Sequence, residues 1–265
     1  MKHFVLPLMP DAEGRIRLYG EDYHYLARVR RLKAGTYFDA VLPDGTETRV
    51  CVLSTADNTL IGECSEGKGK PPSPIPPIAL FQGIPRGAKM DVIIRQAAEA
   101  AVSIVAPFES EYSAVRLSGD ASPTQGVGGE KLKRWKRIAR EARQQSGSAI
   151  ETLVREPCGF DAMLEFWESL KKEHDRPLGI LLHQAPLEKG TFHDYLDIVP
   201  DFVVLAAGPE GGFSPGEVAR FLAANFKPLL MGDTVLRTET AALYGIAAAR
   251  TILLESEAWT LNVKK

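Results

Sequence analysis

The chain has 265 residues, 45% hydrophobic and 25% charged, which excludes intrinsic disorder and allows one large domain or two unequal ones. Lys and Arg total 32 against 34 Asp and Glu, and the net charge of -2 excludes a nucleic-acid binder that works by bulk positive charge. Cys51, Cys64 and Cys158 are too few and scattered for a disulfide framework or a metal knuckle, and no run approaches about 18 apolar residues, so a reduced, cytoplasmic chain that is neither exported nor membrane-spanning is expected.

Residues 1–70 read as a small β-rich domain. Tyr37 to Leu42 and Thr46 to Leu53 flank Pro43-Asp44-Gly45, a hairpin signature, and Thr59 to Cys64 adds a strand. Arg28, Arg30, Arg31 and Lys33 cluster in one short stretch, either a solvated helix end or a local basic footprint. Within Gly67 to Pro77, five prolines in residues 71–77 exclude helix and interior strand, which makes 71–77 a stiff linker.

Over residues 78–265, apolar runs alternate with helical periods, the pattern of an α/β domain with a parallel sheet. The strands are expected at Ile78 to Gln82, Ser103 to Phe108, Leu178 to His183, Phe202 to Ala207 and Lys227 to Met231. Met90, Ile93, Ile94, Ala97 and Ala101 make one apolar helix face, and Thr124 to Glu130 reads as a mobile loop. In the next helix Leu132, Trp135, Ile138, Ala139 and Ala142 form the buried stripe. Lys131, Lys133, Arg134, Lys136, Arg137, Arg140 and Arg143 take most of the remaining positions, with Glu141 the only acid. This face is either solvated or suited to a phosphate backbone.

Three familiar motifs fail. Gly62 to Gly69 lacks the Ser or Thr that a phosphate loop needs for magnesium, and Pro71-Pro72 blocks its helix. Gly212-Phe213-Ser214-Pro215-Gly216 imitates a hydrolase nucleophile elbow, but no histidine follows His193. Ser214 instead fits an N-cap, with Pro215 at the first helical position and Glu217 closing a capping box. His3, His24, His174, His183 and His193 show no metal-ligand spacing, so no metal is expected.

Two segments remain, each at the end of an apolar strand: Leu205 to Phe213 (LAAGPEGGF) and Leu230 to Leu243 (LMGDTVLRTETAAL). Ligand crevices in open α/β sheets lie at such carboxyl ends. Gly208, Gly211, Gly212 and Gly232 let backbone approach a flat, partly apolar ligand, or they serve tight turns alone. The Ala-rich helix from about Thr238, with Gly245, suits close packing in the core or at a subunit interface.

The run IPRGAKMDVIIRQAAEAAVSIVAPFESEYSAV, then KLKRWKRIAREARQQSG, GPEGGFSPGEV and MGDTVLRTETAAL resemble, in order and spacing, the motifs of the ribosomal RNA small-subunit methyltransferase E family. RVRRLKAGT and the β-rich start are similar to that family's PUA-like RNA-binding domain. The resemblance implies a SPOUT-type parallel sheet over 78–265 with a C-terminal trefoil knot that holds S-adenosylmethionine. It further implies methylation of N3 of one uridine in 16S rRNA of the small ribosomal subunit, and a homodimer. A noncatalytic RNA-binding or ribosome-assembly factor on the same fold is the alternative.

Carried over by position, the cofactor pocket comprises Leu182, His183, Ala207, Gly208, Pro209, Glu210, Gly211, Gly212, Met231, Gly232, Val235, Leu236 and Thr238. Arg237 is the candidate stabiliser of charge on the uracil, or else a cap or phosphate contact. Glu210 or Glu239 is the candidate base, or else a residue that fixes its own turn. Arg30, Arg31, Arg86, Lys89, Arg134 and Arg137 are the candidate RNA contacts. The chain departs from the family at Gln144-Gln145-Ser146-Gly147-Ser148, where Glu-Gln-Ser/Cys-Gly-Arg is usual, and at Met231-Gly232-Asp233-Thr234, where Leu-Gly-Pro-Arg is usual.

Overall fold

The structure is a computed structural model that describes residues 4–65, 67, 73, 75–113, 127–184, 191–196 and 198–256. Most of the Pro-rich stretch 67–77, and residues 124–126 of the expected loop, lie outside them. Contacts divide the chain into two units, Met1–Pro72 with Arg143–Glu151, and Ser73–Ala142 with Thr152–Lys265.

The first unit holds β1 (Phe4–Val5), β2 (Arg15–Leu18), the short α1 (Gly20–Tyr23), β3 (Tyr37–Val41), β4 (Glu47–Ser54) and β5 (Leu60–Cys64). The strands form one sheet in the order β1-β3-β4-β5-β2. The expected hairpin is β3 and β4, and its turn is held by Thr46 N–H donating to Asp44 Oδ1 at 2.9 Å. Alternation buries Ile16, Leu18, Phe38, Ala40, Val50, Val52 and Leu60 on one face. After α1 the chain widens into π-helical turns, His24–Val29, which bury Leu26 and leave Arg28, Arg30 and Arg31 exposed. Val5 N–H donates to Gln144 Oε1 at 3.0 Å, so one residue of the family departure secures an edge strand of this sheet.

The second unit contains β6 (Ile78–Gly83), α2 (Lys89–Glu99), β7 (Ile104–Glu109), α3 (Val127–Ser146) as far as Ala142, β8 (Leu153–Val154), β9 (Cys158–Gly159), α4 (Phe160–Glu173), β10 (Pro177–His183), α5 (Phe192–Leu196), β11 (Phe202–Ala207), α6 (Pro215–Ala223), β12 (Phe226–Leu230) and α7 (Thr238–Ser256). All its strand pairs are parallel, in the order β12-β10-β11-β6-β7-β8, with β9 beside β7. A parallel sheet is covered on both faces, so its strands are apolar in near-continuous runs rather than at alternate positions, with Gln82 in β6 and Lys227 in β12 the polar interruptions inside them. Ile78 and Leu80 enter the core under α2, α3 and α7, while Ala79 and Phe81 enter the core under α4 and α6.

α3 begins at Val127, so helix replaces the loop expected over 127–130. Its predicted stripe, Leu132 to Ala142, is buried as expected. Arg143 is not part of the solvated basic face: it is buried and donates to the carbonyls of Ser148 and Ala149, at 3.1 and 3.2 Å. α7 buries Ala242, Ile246, Ala249 and Leu253, and Gly245 packs on β10, where a Cβ would come within 2.8 Å of the Leu182 side chain.

Candidate active site

β12, β10 and β11 are neighbours and end on the same side, because parallel strands share a direction. The loops that leave those ends enclose a cleft of about 710 Å³, its open mouth included. Leu182, His183, Gly208, Pro209, Glu210, Gly212, Met231, Gly232, Val235, Leu236 and Thr238 line it. Ala207 and Gly211 do not. Ala207 is buried at the end of β11, and Gly211 faces Tyr112, whose Cβ lies 2.9 Å from where a Gly211 Cβ would sit. Gln184, Phe213, Leu230, Thr234 and Ala241 also line the cleft, and proximity to the named motifs was the sequence signal for them.

The loop after β11 is tied down from several sides. Pro209 lies against Gly83, where a Cβ would meet Pro209 Cδ at 2.6 Å and Pro209 N at 2.9 Å. Glu210 accepts from Arg86 N–H at 3.1 Å and from Lys89 Nζ at 2.6 Å. Burial acts to raise the Glu210 carboxyl, but the hydrogen bonds from Lys89 and from backbone N–H groups outweigh it and hold the group below its ordinary range. Both Glu210 and Lys89 are therefore committed to a clamp. Farther on, Ser214 caps α6 in the expected capping box. Its Glu217 does more than sequence suggested: it also accepts from Ser110 Oγ at 3.1 Å and Glu111 N–H at 2.8 Å, fixing the loop after β7.

The loop after β12 is open. Gly232 has φ of 131, a conformation that disfavours side chains, and Asp233, Thr234, Val235 and Arg237 are exposed. Arg237 does not line the cleft, and its guanidinium makes no hydrogen bond or ion pair among the described residues. Glu239, in the first turn of α7, has a buried Oε2 with no partner among them. Of the basic candidates in this unit, Arg134 pairs with Asp91, Arg137 lies 3.6 Å from Glu141, and Arg86 is exposed. Among the described residues no helix is long and apolar enough to cross a membrane, and no cluster of His, Cys, Asp or Glu could hold a metal.

The profile of the RNA methyltransferase domain matches residues 71–250. The ribosomal RNA small subunit methyltransferase E of Aquifex aeolicus is 30% identical over 228 residues, 84% of this chain and 88% of that protein. The chain belongs to that methyltransferase E family. The family member from Bacillus subtilis is 25% identical over 238 residues, 86% of this chain and 87% of its own length. The crystal structure of the Neisseria gonorrhoeae family member, bound to S-adenosylmethionine, superposes with a TM-score of 0.75 at 24% identity, covering 95% of this chain and 98% of that one. At that identity the likeness is one of fold.

Proposed function

We propose that this chain is an S-adenosylmethionine-dependent methyltransferase that acts on N3 of a specific uridine in 16S rRNA of the small ribosomal subunit. The observation that carries the reading is the cleft at three adjacent strand ends, lined by residues of the GPEGGF and MGDTVLRTETAAL segments. Its walls fit the cofactor: Leu182, Pro209, Met231, Val235 and Leu236 offer apolar contact, while Gly208, Gly212 and Gly232 bring backbone without a side chain to the cleft surface. When bound, S-adenosylmethionine supplies an electrophilic methyl group.

The protein's task is then to prepare the uracil. N3 carries a proton at neutral pH, so attack requires that proton to leave and the charge spread over O2 and O4 to be stabilised. Arg237, unpaired among the described residues and next to the cleft-lining Thr238, is the candidate stabiliser. Glu239 is the freer carboxylate for the proton, since Glu210 is held by Lys89 and the Arg86 amide.

In this reading the chain works in the cytoplasm as a homodimer with a trefoil knot around the cleft and a PUA-like first unit. Arg86, Arg134 and Arg137 in the second unit, and Arg30 and Arg31 in the first, are the proposed RNA contacts. The test is mass spectrometry of 16S rRNA from a strain that lacks the gene. Loss of one N3-methyluridine, restored by the purified protein and S-adenosylmethionine, is expected; an unchanged modification pattern refutes the proposal.

A further inference from the structure

Gln82, near the end of β6, is completely buried and stands in register with Ala207, the last residue of β11. Its Nε2 lies 2.9 Å from Gly83 O, 3.0 Å from Thr238 Oγ1, 3.2 Å from Gly208 O and 3.4 Å from Ala207 O. The Thr238 hydroxyl spends its proton on Gly208 O, at 2.6 Å, so it must accept from Gln82. Turning the amide over would bring Oε1 against three carbonyl oxygens, which fixes its orientation. Gly208 opens the loop after β11 and Thr238 closes the loop after β12, the two segments that form the walls of the cleft.

We infer that Gln82 is a positioning residue that sets the spacing of the two walls through the Gly208 carbonyl and the Thr238 hydroxyl. Packing alone does not account for it. Oε1 is buried without a partner among the described residues, and burying such an acceptor is costly, so an apolar side chain of equal length would suit the core better. What Met or Leu cannot do is donate to groups on both walls at once. The inference rests on reading the cleft as the S-adenosylmethionine site.

The test uses the full chain, with cofactor affinity by calorimetry, the thermal midpoint, and kcat and KM measured for each variant. Gln82→Met is expected to weaken S-adenosylmethionine binding about ten-fold, the scale of one well-made buried hydrogen bond. Combined with Thr238→Val, the loss should be smaller than the product of the two single effects, because both side chains act on Gly208 O. A lowered midpoint with unchanged cofactor affinity would make Gln82 a core residue only and overturn the inference. Should Gln82→Met fail to fold, Gln82→Glu serves: its carboxyl donates only when protonated, and burial among carbonyl oxygens raises its pKa well above the ordinary value, so cofactor affinity relative to wild type should weaken as pH rises. A wild-type pH profile in that variant also overturns the inference. If the wild-type chain binds no S-adenosylmethionine, the reading of the cleft fails first and the inference falls with it.

Discussion

Gly208 to Phe213, after β11, is fastened at nearly every residue, whereas Met231 to Arg237, after β12, is not. In the first loop Gly208 O takes two hydrogen bonds, Pro209 rests on Gly83, Glu210 is clamped by Lys89, Gly212 N–H returns to Pro209 O at 2.9 Å, and Phe213 stacks on Phe108. In the second, Asp233, Thr234 and Arg237 make no side-chain hydrogen bond or ion pair among the described residues, and Val235 is 79% exposed. One wall of the cleft is thus organised by folding. The other has ordering left to do when a ligand arrives.

The sharpest way to break this contrast is to place one methyl group on each wall. Gly83→Ala forces a Cβ into the Pro209 ring and the Gly208 carbonyl carbon, backbone that cannot step aside. It should destabilise the chain by about 3 kcal/mol and abolish cofactor binding. Gly232→Ala meets nothing within 4 Å and bears only the strain of its φ of 131, about 1 to 2 kcal/mol. Thermal unfolding and calorimetry on both variants check the ranking, and equal losses would erase the distinction between the walls.

Arg237 tests whether the open wall carries chemistry. Arg237→Ala should lower single-turnover rates at saturating small subunits by about 100-fold while cofactor affinity stays within a few fold. Lys should restore little, since an ammonium lacks the planar two-pronged contact. An unaltered rate would leave Arg237 a phosphate contact.

Glu217 tests the fastened wall from outside the cleft. Glu217→Ala removes half a capping box and the tether to Ser110 and Glu111, so about 2 kcal/mol of stability should be lost, a fall in thermal midpoint of roughly 4 to 8 °C. A drop below about 1 °C would show that the tether carries no weight in solution.

What could be read in the sequence follows from how far each interaction reaches. Ser214, Pro215 and Glu217 announce a helix start because all three act within one turn. The five longer strands of the parallel sheet show as apolar runs because both sheet faces are covered, while the two-residue strands β8 and β9 leave no pattern to find. Gln82 gave no signal, since its partners Gly208 and Thr238 lie 126 and 156 residues away. Likewise nothing local marks Lys89 as the partner of Glu210, 121 residues on, so it read as one more basic residue. Residues lining the cleft came from resemblance to a family, because spacing alone cannot separate a ligand loop from a tight turn.

The Lys89–Glu210 clamp gives the smallest and most specific test of the fastened wall. The Glu210 carboxyl titrates below its ordinary value in the folded chain, so its contribution is complete above the unfolded pKa of about 4.3 and is lost as pH falls through the lowered folded value. Lys89→Met removes both the strongest hydrogen bond to Glu210 and the nearby charge, leaving burial, which pushes the group upward, less opposed. The variant should therefore be less stable than wild type above about pH 4.3 and lose less of its stability on acidification. Both side chains are about a third exposed, so solvent screening keeps the difference under about 1 kcal/mol. Thermal midpoints followed between about pH 3 and about pH 7 should be lower for the variant near neutrality and converge with wild type on the acid side. Curves that stay superimposed throughout would mean that the backbone amides hold Glu210 without help, and Lys89 would be free to meet phosphate.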